Sequence, residues 1–78
     1  MPEYRSERRK RFALAFKAAA QLESYGRITG SEKGALKDLT LDGDPRIVAA
    51  LDRFFVQGGR SEHELLDAFL RIAQDSNA

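Results

Sequence analysis

The segment from Asp38 to Asp44, DLTLDGD, sets oxygen-bearing side chains on alternate residues and a glycine at the sixth position, the opening pattern of a helix–loop–helix calcium site. Such a site takes its bidentate glutamate from the twelfth position. Ala49 stands there, and Pro45 already opens an apolar run that reads as helix. Calcium binding is therefore not expected. The same residues read better as a corner, in which Asp42 and Gly43 close one helix while Asp44 caps and Pro45 opens the next.

A second chemistry-bearing stretch is RSERRKR, residues 5–11, with five basic residues in seven. Arg5, Arg8, Arg9, Lys10 and Arg11 could contact phosphates or lie on an acidic protein or membrane surface. Placed on a helix they spread around most of its circumference, and no aromatic platform for bases is interleaved with them. They could supply salt-dependent affinity without base readout. Basic charge at a helix N-terminus also opposes the helix dipole, by a few tenths of about 1 kcal/mol per charge. An anionic partner would relieve that conflict, and so would a partly disordered arm over residues 1–11.

The remaining chemistry is thin. The one histidine, His63, lies between Glu62 and Glu64 with no nucleophile to pair with, and there is no cysteine. Neither an enzyme, nor a cofactor site, nor a metal constellation is expected. A helix-turn-helix nucleic-acid reader would expose basic and amide side chains from its second helix. Here Ile47, Val48, Ala49 and Ala50 fill the space between Arg46 and Arg53, which makes a packing helix.

These residues must be held by helices. Four times a start signal, an apolar periodicity and a stop signal follow in order, giving an all-α compact array over approximately 6–25, 30–41, 45–57 and 62–74. Ser6 can cap the first helix, whose positions Phe12, Ala15, Phe16, Ala19 and Leu22 step by three or four, with Leu14, Ala18 and Tyr25 widening the stripe. Gly26 ends it. Thr29 with Glu32, and Ser61 with Glu64, are capping boxes for the second and fourth helices. Gly58 and Gly59 lie at the turn between the third and fourth, where a hairpin is expected.

The composition fits one small domain over residues 1–78. Of the 78 residues 42% are hydrophobic and 32% charged, values of a globular chain, with no apolar run long enough for a membrane span. Charge is polarised: residues 1–17 hold six basic and two acidic residues, the remainder seven and ten. Lys17 breaks the only apolar segment near the start, so no signal peptide is read and an intracellular setting, cytoplasmic or nuclear, is expected.

Phe54, Phe55 and Val56 are consecutive and point three ways, and Leu65, Leu66, Phe69 and Leu70 cover a wide arc. One core cannot easily take them all. The expected function is a non-catalytic interaction or assembly module that binds another protein or a second copy of itself. Val48, Phe55, Val56, Leu66, Phe69 and Leu70 would form its apolar face, and the basic first helix would steer an acidic partner. Nucleic-acid or anionic-surface binding through the basic N-terminal segment is the alternative.

Overall fold

The computed structural model describes the backbone of residues 2–59 and 62–76 and the side chains of residues 7–59 and 62–75. It contains four helices, α1 (Pro2–Ser24), α2 (Gly30–Asp42), α3 (Pro45–Val56) and α4 (Glu62–Ser76). All four touch one another, α1 packing chiefly on α2 and α3 on α4. No strand occurs among the described residues.

The first helix begins at Pro2, four residues before the expected Ser6 cap. Proline suits that place because its fixed φ is already helical and its missing N–H would have had no partner in the first turn. The helix then presents Ala15, Ala18, Ala19 and Leu22 to the core, each almost wholly buried. Small side chains on this face let neighbouring backbones approach closely. Tyr25 does not extend the stripe and is exposed, because the helix stops before it. At that stop Gly26 takes φ +73°, and the Arg27 N–H donates to the Leu22 carbonyl at 2.9 Å, which turns the chain toward Ile28. Ile28 is buried in the core.

Local chemistry sets the next two helices as the residue types demand. The Thr29 hydroxyl accepts from the Glu32 N–H at 3.1 Å while the Glu32 carboxylate accepts from the Thr29 N–H at 2.8 Å, the full capping box. Further along α2, the buried Thr40 hydroxyl donates to the Leu36 carbonyl at 2.7 Å, so burial leaves it satisfied. Lys33 pairs with Glu23 at 2.7 Å, and Lys37 lies 5.7 Å from the Phe16 ring centre. These contacts make α1 and α2 antiparallel.

The Asp42–Pro45 corner is a joint between caps. Gly43, at φ +74°, closes α2, and the Asp44 N–H returns to the Leu39 carbonyl at 3.0 Å. Asp44 then caps α3 by accepting from the Arg46 N–H at 2.9 Å. Only Gly43 and Asp44 separate the two helices, so their crossing has almost no slack.

The core unites Leu36 of α2, Ile47 and Leu51 of α3, and Leu65, Phe69, Ile72 and Ala73 of α4 with the alanine face of α1. The expected Ser61 cap of α4 lies outside the described residues. Gly58 and Gly59 both adopt positive φ, and the Gly59 N–H donates to the Phe54 carbonyl at 3.0 Å, so α3 ends where expected.

Candidate interaction surface

The apolar face expected on the third and fourth helices does not exist as one surface. Phe69 is 0% exposed at the centre of the core and cannot anchor a partner. It projects inward because it shares a face of α4 with Leu65, Ile72 and Ala73, at spacings of three and four. Leu66 and Leu70 are half-buried and pack against that core from its flanks. Leu66 borders a separate recess beside Tyr25 and His63, at the far end of α1.

Three members of the set do reach solvent. Val56 is 86% exposed at the end of α3, while Val48 at 39% and Phe55 at 43% lie seven residues apart on one side of that helix. This side faces the first half of α1. The structure thus brings Val48 and Phe55 together with part of the basic segment, a juxtaposition that sequence spacing does not show.

A groove of about 510 Å³ lies there, walled by the start of α1, the Gly43 corner and the first turns of α3. Phe12, Ile47 and Leu51 form its apolar floor, and Leu41 and Val48 its rim. Leu41, near the end of α2, is 57% exposed. One sequence signal bears on it: Leu39 and Leu41 are two apart, and residues so spaced cannot share a helix face, so one of them had to turn outward. Leu39 packs against the core.

Two of the basic residues, Arg8 and Arg11, stand along one edge of this groove. Arg8 lines it with its guanidinium 5.3 Å from the Phe12 ring centre, and Phe12 stacks on Phe16 at 6.2 Å. Arg11 lines it too, reaching across to α3, where it pairs with Asp52 and lies 5.3 Å from the Phe55 ring centre. Beyond Arg11 a smaller recess, of about 270 Å³, continues the groove between Lys10 and Phe55. Arg9 is exposed but does not line the groove, and the side chain of Arg5 lies outside the described residues. Glu7 and Asp42 add negative charge at the rim.

Electrostatics at the corner are local. Asp44 takes the Arg46 guanidinium on both carboxylate oxygens, at 3.2 and 3.3 Å. That hydrogen bonding from Arg46, joined by backbone N–H donors and the opposite charge, holds the Asp44 carboxyl below its ordinary value and raises that of Arg46. Asp44 is thereby occupied as the expected cap of α3 and also as the ion-pair partner of Arg46. Among the described residues no group of three or more His, Cys, Asp or Glu side chains converges as metal ligands. Nor is any described helix long and apolar enough to cross a membrane.

The arrangement sets apolar side chains at a rim and cations over aromatic rings around an open groove between helices. No known protein family, curated protein or solved structure matches the chain.

Proposed function

We propose that the protein is a non-catalytic interaction module that holds an amphipathic segment of another protein in the groove between α1, the Gly43 corner and α3. The observation that carries this reading is the exposed pair Leu41 and Val48 beside Arg8 and Arg11 on one groove. Apolar side chains left at a groove rim are what a partner helix or strand covers. The flanking cations suit a segment whose apolar anchors are bordered by carboxylates. From Glu7 to Lys17, α1 carries five basic residues and one acidic one, an excess that would speed encounter with an acidic partner.

The test is affinity capture with the wild-type chain and with Leu41→Glu and Val48→Glu, followed by titration of each captured protein in purified form. Both substitutions fall on exposed positions, so circular dichroism should show an intact fold. Binding that survives both changes, or a complete lack of partners, would overturn the reading.

A second reading has its own support in the run Arg8, Arg9 and Lys10, all exposed on α1. Nucleic acid bound there would release counterions and weaken steeply with salt. Filter binding to generic DNA and RNA at low salt, with Arg8→Ala, Arg9→Ala and Arg11→Ala combined, separates it from the first.

A further inference from the structure

The opposite side of α3 carries a second groove, of about 320 Å³, between α3 and α4. Arg46 and Arg53 stand along one wall and Arg71 on the other, above a floor in which Ala49, Ala50 and Ala68 are exposed or half-buried. Among the described residues Glu64 is the only acidic one lining it. Among the described residues neither Arg53 nor Arg71 has a carboxylate within ion-pair distance. Arg46 differs, its guanidinium being held by Asp44.

We infer that this groove is a docking site for an acidic peptide segment of a partner protein. Charge complementarity selects the sign of the occupant: Arg53 and Arg71, without a carboxylate at ion-pair distance, face the groove against Glu64, while Arg46 is already paired with Asp44. The apolar lining, in which Ala49, Ala50 and Ala68 lie beside Phe54, Leu65 and Ile72, would take the backbone and Cβ atoms of a peptide between the arginine stems. Arginine's planar fork matches discrete carboxylates in a bidentate manner. Separate carboxylates can avoid Glu64 and the nearby Asp44 and Asp75, whereas a continuous phosphate backbone would have to pass them. The site is independent of the groove beside α1, and neither reading needs the other.

The experiment is an amide chemical-shift titration of the full chain with a capped peptide of glutamates at helical spacing in an alanine background, run beside its glutamine counterpart. Shifts confined to Ala49, Ala50, Ala68 and their neighbours are expected, absent with the glutamine peptide and reduced by added salt. Arg53→Glu with Arg71→Glu should weaken binding by at least about tenfold, and Arg53→Gln with Arg71→Gln by somewhat less. Arg8→Glu with Arg11→Glu should leave it unchanged. Shifts that map to α1 instead, equal binding of the glutamine peptide, or tighter binding of single-stranded DNA at the same amides would each overturn the inference.

Discussion

The Arg11 guanidinium rests 5.3 Å from the centre of the Phe55 ring while pairing with Asp52, so one side chain of α1 grips two of α3. The carboxylate and the ring lie three residues apart on α3 and therefore on the same side of it. This grip covers part of Phe55, which remains 43% exposed.

A double-mutant cycle with Arg11→Met and Phe55→Leu, read by urea unfolding, should give a coupling of about 0.5–1 kcal/mol, the worth of a cation over an aromatic face at a partly exposed site. The Asp52 pair should add little, since its two side chains remain 34% and 52% exposed. Such pairs contribute roughly 0–1 kcal/mol and fade with salt. A coupling indistinguishable from zero would mean that the ring and the cation are merely adjacent.

Phe69 and Val56 should behave as opposites although both belong to the apolar surplus of the last two helices. Phe69→Ala empties the middle of the core, a change that costs about 3–5 kcal/mol. A chain of 78 residues has little stability in reserve, so this variant should be largely unfolded at room temperature by circular dichroism. Val56→Ala should stay within about 0.5 kcal/mol of wild type. A folded Phe69→Ala protein would contradict the placement of that ring.

Much of the architecture was legible because capping chemistry is local. Thr29 with Glu32 and Asp44 with Pro45 mark helix starts within a few residues, and the structure forms both. The surface was less legible. Phe54, Phe55 and Val56 point in three directions from one turn, and only the position of α1 decides that Phe55 meets Arg11 while Val56 meets solvent. Leu41 reads as outward-facing only once Leu39, two residues before it, is known to take the core-facing place. Arg46, Arg53 and Arg71 carry no motif at all, since their convergence depends on how α3 crosses α4.

Stability should respond to pH through Asp44. Its carboxyl is held below the ordinary 3.8, chiefly by hydrogen bonds from Arg46, so the charged form is favoured in the fold. The contribution is therefore complete above about pH 4 and is lost as pH falls through the depressed folded value. At neutral pH Asp44→Ala should cost about 1 kcal/mol for the missing cap. Urea titrations of both proteins at stepped pH should converge below that range. A gap that persists unchanged into acid would show that the carboxylate charge plays no part.

Two glycines should respond to the same substitution with opposite signs. Gly34 lies inside α2, and a Cβ added there would meet nothing within 4 Å. Gly34→Ala should therefore stabilise by about 0.5–1 kcal/mol, since alanine favours the helix. Gly43→Ala must adopt φ +74° at the corner and should destabilise by about 1 kcal/mol. Thermal melts of the pair decide the matter, and equal shifts in one direction would refute the assignment of Gly43 as a left-handed cap.

Because Gly43 and Asp44 alone join α2 to α3, the third helix cannot drift independently of the second. It is also the wall shared by both grooves, with Val48 on one side and Ala49 and Arg53 on the other. A ligand held in one groove would therefore rest against the same helix that walls the other.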